Sequence, residues 1–341
     1  MALVPRMRST MRDLQIIPFD YSLLVQAGEL LAMRHIRDRT AHPLLPSSFE
    51  EASLAEKALA AYCYRPNTRG VAAVHGSSLL GYLIGELVIS PVWGRSAWIR
   101  PPGYALAPGQ DIELLRHLYA ALAEQWVHMG VFFHFAQVAA GDVPVVDAFF
   151  RLSFGLEQVH ALADLDRLDL SAAEQPVGVT IRRSEIDDRE TLADMSPIIW
   201  QHYAQAPVWG IHLPEEELEH RLEYASLVAD PEAIVWLAFY RGEPAGMQCY
   251  FPVEYAADHM YAPPDCIELA VGCTKAGYRG LGIGQALTRR GLAHARESGY
   301  HRCLVDWRST SPYSSFWTEQ GFQPILYRLV RRVDNRIAWG K

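Results

Sequence analysis

The stretch Tyr278-Arg279-Gly280-Leu281-Gly282-Ile283-Gly284-Gln285 decides how this chain is read. It follows an apolar, alternating run, Cys266 to Thr274, and opens a helical pattern that ends near Gly299. Three glycines at alternate positions let the backbone curl with its N–H groups turned inward. The helix from Gln285 aims the positive end of its dipole at the same spot. Such a turn can hold a pyrophosphate without a lysine. A dinucleotide-binding fingerprint would need G-x-G-x-x-G after an early βαβ unit, and neither is present. A Walker A loop would need Gly-Lys-Ser/Thr, which is missing. The remaining competitor is a glycine-rich turn with no ligand.

Working outward, an apolar strand pattern, Cys303 to Val305, follows the helix. A short helix then ends Phe316-Trp317-Thr-Glu-Gln-Gly321-Phe322. The first half repeats the order. Gly109 precedes a helix running to Gly130, with Leu115, Leu118, Leu122 and Trp126 on one face and Asp111 suited to its N-cap. The strand Val131 to Val138 and a helix ending Phe149-Phe150-Arg-Leu-Ser-Phe154-Gly155 complete it. Between the halves, Ser171 to Gly178 is small, polar and Pro/Gly-punctuated. The expected organisation is therefore a duplication: domain 1–170, linker 171–178, domain 179–341. Strands at 179–183, 233–240, 245–252 and 266–274 and helices at 189–202 and 215–227 give each half a mixed α/β sheet flanked by helices. Arg328-Leu-Val-Arg331-Arg332 reads as a last strand with solvated edge charge.

Arg279-x-x-Gly282-x-Gly284 after a strand resembles the acyl-CoA signature of the GNAT family of N-acetyltransferases, and Phe316 to Phe322 resembles the family's later aromatic–Gly-Phe motif. The resemblance covers about 233–331. It implies two tandem GNAT-like domains, each with a mixed, largely antiparallel sheet, and acetyl-CoA as acyl donor. Tandem members of the mycothiol synthase type carry one decayed half. The first half fits that pattern: Pro102-Gly103-Tyr-Ala-Leu-Ala-Pro108-Gly109-Gln110 keeps one suitably placed glycine, and Pro108 lacks the N–H that a phosphate loop uses. It is expected not to bind CoA and to support the second half's cleft.

Strict alternation along 266–274 puts Ile267, Leu269, Val271 and Cys273 on a core face, and Glu268, Ala270, Gly272 and Thr274 on the other. The resemblance implies that backbone groups of Gly272, Cys273 and Thr274 pair with the pantetheine arm. It also implies that 279–285 cradles the pyrophosphate. Glu268 stands where several members carry a glutamate general base, which would take a proton from the attacking ammonium. The competing role is a solvated or ion-paired strand glutamate. The family's usual tyrosine acid is replaced by Trp317, whose indole cannot usefully supply a proton. Either Tyr313, one turn earlier, takes over, or the thiolate leaves unassisted. Trp317 otherwise packs beside the cofactor, and Ser309 or Ser311 takes the place of a family asparagine that is here Thr310.

Other residues weigh less. Asp306-Trp307 could touch substrate or simply end a strand. Tyr203, Trp209, His212 and His220 could cage an amine, or pack a loop on the body. No metal motif occurs among the 13 histidines. The 341 residues are 50% hydrophobic and 21% charged, which is ordinary for a globular chain of two domains. A net charge of −8 (31 − 39) disfavours nucleic-acid binding. Five cysteines without a CxxC pair indicate reduced thiols. Residues 1–12 lack the apolar core of a signal peptide, and no stretch is apolar enough to span a bilayer, so the expected place is the cytoplasm. The expected activity is acetyl transfer to a primary amine of a small molecule or peptide, by a monomer or homodimer. The alternatives are a non-catalytic acyl-CoA-binding module, or use of another acyl group or nucleophile.

Overall fold

The computed structural model describes residues 14–170, 175–211, 213–254 and 256–340. Residues 1–12, His212 and the first part of the expected linker lie outside the described residues. In chain order the strands are β1 (Gln15–Pro18), β2 (Thr68–His75), β3 (Ser78–Ser90), β4 (Gly94–Ile99), β5 (Tyr104–Leu106), β6 (Phe133–Ala139), β7 (Gly155–Asp164), β8 (Val179–Arg183), β9 (Ile234–Tyr240), β10 (Glu243–Pro252), β11 (Cys266–Thr274), β12 (Arg302–Arg308) and β13 (Gln323–Arg332). The helices are α1 (Leu24–Ala41), α2 (Ala52–Cys63), α3 (Glu113–His128), α4 (Val143–Arg151), α5 (Arg189–Tyr203), α6 (Glu217–Ser226), α7 (Ile283–Glu297) and α8 (Ser314–Glu319).

These elements form two compact units. The first contains 14–157, 256–261 and 325–340; the second contains the described residues of 158–254 and 262–324. The first has the strand order β1-β2-β3-β4-β6-β13, with β5 on β3; β4 and β6 are parallel and the other neighbours antiparallel. The second has β8-β9-β10-β11-β12-β7, with β11 and β12 parallel and the other neighbours antiparallel. The two orders are the same pattern. Each parallel pair is joined through one helix, α3 or α7, as a parallel connection requires. The last strand of each unit comes from the other half of the sequence. This departs from the halves expected at 1–170 and 179–341. The reason is that β7 pairs with β12 over Gln158–Asp164, while β13 pairs with β6.

In the first unit, Leu115, Leu118, Leu122 and Trp126 form the buried face of α3. Asp111 is not its N-cap; Ile112 is, and the Asp111 carboxylate accepts the Glu113 N–H at 3.0 Å. Between β4 and α3 the chain makes the buried turn Pro101–Gly103, then β5, then a loop over 107–112 in which Gly109 has φ of +80°. Arg328 is not a solvated edge charge. It is buried, donates to Glu157 at 2.7 Å, and lies over Trp93 at 4.9 Å.

In the second unit, α7 buries Ile283, Leu287, Leu292 and Ala295 against one face of the sheet. On the other face, Leu192 and Met195 of α5 and Tyr224 of α6 pack with Val235, Leu237, Met247 and Cys249. Strict alternation along β11 fails at one point. Cys249 lies opposite Val271 but Tyr250 lies opposite Leu269, so Ala270 is the extra residue of a β-bulge. Beyond it the faces swap. Ile267, Leu269, Gly272 and Thr274 share the face of Gln248 and Tyr250, whereas Glu268, Val271 and Cys273 share that of Met247 and Cys249.

Candidate active site

The bulge stands where two strands part. β11 pairs with β12 only over Cys266–Leu269. β12 continues to Arg308 alongside β7, and β11 continues to Thr274 alongside β10. Among the described residues, Ala270–Thr274 therefore have no strand on their other edge, and their backbone groups face a gap. A cavity of about 480 Å³ opens there. The glycine loop closes one end. Gly280 and Gly282 both have φ of +78°, and Gly282 is the N-cap of α7. A left-handed conformation at both positions suits glycine alone. The first N–H groups of α7 have no intrahelical acceptor and point out of the helix toward that end.

The cavity is lined by Gly272, Cys273 and Thr274 from β11, and by Arg279, Gly280, Gly282, Ile283, Gly284 and Gln285 from the loop and helix. Ser311, Tyr313 and Trp317 line it from the segment entering α8 and from α8 itself. Leu281 does not line it; its side chain is exposed. Nor does Glu268, which sits lower on β11, in register with Leu304. Burial pushes the Glu268 carboxyl up to about 7, helped by the negative charge of Asp306. Asp306 lies two residues beyond Leu304 on the same face of β12 and does line the cavity.

Around Tyr313 the site gathers a cation and a tilted imidazole ring. The Arg279 guanidinium lies 5.5 Å from the Tyr313 ring centre, and the His202 ring lies 5.4 Å away. Arg279 also donates to the Thr274 carbonyl at 3.2 Å. Burial, then the charge of Arg279, hold His202 below its usual pKa. Trp317 packs edge-on against Phe316 at 5.0 Å and Phe322 at 5.9 Å.

Of the acceptor-loop aromatics, Tyr203 lines the cavity, and burial raises its hydroxyl pKa. Trp209 is exposed, and His220 stacks on Trp200 at 4.6 Å, away from the cavity lining. Sequence reasoning missed Ile198, Ile199 and His202, which with Tyr203 form the inner face of α5. Their spacing of three to four residues was the available signal. It also missed Gln248, a polar residue at an inward position of β10.

A coenzyme A molecule fits the residues present. The open β11 edge offers paired backbone donors and acceptors, and the loop offers N–H groups and a cation, Arg279, to a diphosphate. Residues 195–322 match the model of the acetyltransferase (GNAT) family. No curated protein matches the chain in sequence. Among solved structures, it is similar to a tandem GNAT protein from the clavulanic acid biosynthesis pathway: 15% identity, 94% of this chain, 98% of that one, TM-score 0.51. It is also similar to a GCN5-related N-acetyltransferase from Sphaerobacter thermophilus: 16% identity, 94% and 96% coverage, TM-score 0.59. At these identities the likeness is one of fold. Residues 195–322 thus match the acetyltransferase (GNAT) family model, in a chain whose fold is similar to that of tandem GNAT proteins.

Proposed function

We propose that the second unit is an acetyl-CoA-dependent N-acetyltransferase that acts on a primary amine of a small molecule or peptide, within a ternary complex. One observation carries this reading: an unpaired strand edge and a phosphate-type glycine loop open into the same cavity. Bound acetyl-CoA would supply an activated acyl thioester. Gly272, Cys273 and Thr274 would hold the pantetheine arm by backbone groups, and 279–285 would hold the diphosphate.

Glu268 is the proposed base. A carboxyl that titrates near 7 can accept a proton at neutral pH. Since it does not line the cavity, it would take one proton from the acceptor ammonium through intervening water, so that the neutral nitrogen attacks. The new C–N bond would form as the C–S bond breaks, Tyr313 would give its hydroxyl proton to the departing sulfur, and the second proton that the nitrogen sheds on becoming an amide would pass to solvent, from which Tyr313 is reprotonated. Trp317 packs the wall of the site. The first unit, whose loop before α3 keeps one left-handed glycine, Gly109, and has Pro108 beside it without an N–H, is proposed to bind no CoA.

Thermal melting with acetyl-CoA, followed by thiol release with a panel of amines, tests this. Stabilisation by the ligand and acceptor-dependent release are expected. Stabilisation without release would leave a binding module. No shift at saturating ligand would remove the CoA site altogether.

A further inference from the structure

Beneath the loop runs a buried polar chain of three side chains, none of which has been given a part in the chemistry above, ending on the Gly284 carbonyl of the loop. The Tyr250 hydroxyl donates to Gln248 Oε1 at 2.7 Å. Gln248 Nε2 donates to Thr288 Oγ1 at 2.8 Å, and Thr288 Oγ1 donates to the carbonyl of Gly284 at 2.9 Å. Tyr250 and Thr288 are fully buried, and Gln248 nearly so. Space is cleared for the chain: a Cβ on Gly291 would sit 2.2 Å from the Tyr250 hydroxyl. Apolar side chains would pack a helix on a sheet without such a chain, and every polar group buried here must find a partner or destabilise the fold. The chain therefore does something that packing alone does not.

Its course suggests what. Gln248 is the cross-strand partner of Gly272, on the open edge of β11. Through Thr288 it is bonded to the first turn of α7, whose N–H groups face the phosphate end of the cavity. Gln248 and Thr288 together thus link both places where an extended ligand would be gripped. Hydrogen bonds are directional, and a helix resting on apolar contacts alone can shift along a strand far more freely.

We infer that Gln248 and Thr288 are positioning residues that fix the spacing between the strand edge and the phosphate loop. A ligand spanning both grips then finds them in register. The inference rests on the CoA reading of the site.

The test compares two ligands on the full chain. CoA spans both grips; ADP engages the loop alone. Gln248→Leu and Thr288→Val should each weaken CoA binding about tenfold, the effect of one misplaced buried hydrogen bond. Both should leave ADP binding unchanged, and Thr288→Ser, which keeps the hydroxyl, should bind CoA as the unaltered chain does. Equal loss of CoA and ADP, or CoA binding unaltered in both variants, would overturn the inference and leave the site standing. Should Gln248→Leu not fold, Thr288→Val carries the same comparison with a single hydroxyl removed. Absence of CoA binding by the unaltered chain would overturn the CoA reading, and this inference with it.

Discussion

Glu268 on β11 and Asp306 on β12 share one face of the sheet, and the charge of Asp306 adds to burial in holding the Glu268 carboxyl up to about 7. The proposed base is therefore half-titrated at neutral pH. Glu268→Gln should lower kcat by about a hundredfold, the low end of general base contributions, with CoA affinity unchanged. The rate of the unaltered protein should rise through a pKa near 7. Steady-state rates across pH 5–9 give the readout, and an identical profile for both proteins would remove Glu268 from the mechanism.

The same shift has a consequence for stability. A carboxyl whose pKa is raised on folding binds its proton more tightly in the folded state. Its contribution is fully favourable below the ordinary value of 4.5, is lost as pH rises to about 7, and is level above. Thermal melts at pH 5 and pH 8 should show the unaltered protein losing more stability than Glu268→Gln over that interval. Parallel curves would contradict the shift.

Gly280 and Gly282 should not be equivalent under substitution. Among the described residues, a Cβ at Gly280 meets nothing within 4 Å, so Gly280→Ala carries the left-handed backbone penalty of about 1–2 kcal/mol. At Gly282 the new Cβ would also lie 3.2 Å from Pro176. Calorimetric titration with CoA should show both variants weakened, and Gly282→Ala the more so. Undiminished affinity in Gly282→Ala would place the phosphate elsewhere.

Tyr313→Phe keeps the ring against Arg279 and His202 and removes only the hydroxyl. If that hydroxyl protonates the leaving sulfur, kcat should fall about tenfold or more with CoA affinity intact. Trp317→Phe should leave kcat near its original value, since Trp317 packs on Phe316 and Phe322. An unchanged kcat in Tyr313→Phe would mean the thiolate departs unaided.

The loop was legible in the sequence because its chemistry is local: alternate glycines, a strand before and a helix after determine its shape between Tyr278 and Gln285. The helix faces were legible for the same reason, as with Leu115 to Trp126. The side-chain directions along β11 were not, because one extra residue at Ala270 inverts a period of two, and nothing in Leu-Ala-Val-Gly marks it. Glu268 consequently faces α5 and α6 with Val271 and Cys273, rather than lining a gap with Gly272. His202 and Ile198 escaped notice because a helix lining a cavity looks like a helix packed on a core. The destinations of β7 and β13 escaped it because sequence order does not say which sheet a strand enters.

That traffic of strands has a consequence for how such a chain can be cut or inherited. A nick between the two sequence halves would leave them interlocked, each still holding a strand of the other's sheet. A gene fragment starting at Val179 would encode β12 without β7, and the bare edge would invite aggregation. Deleting the first half of the sequence would therefore strip the edge strand β7 from the sheet that carries the glycine loop.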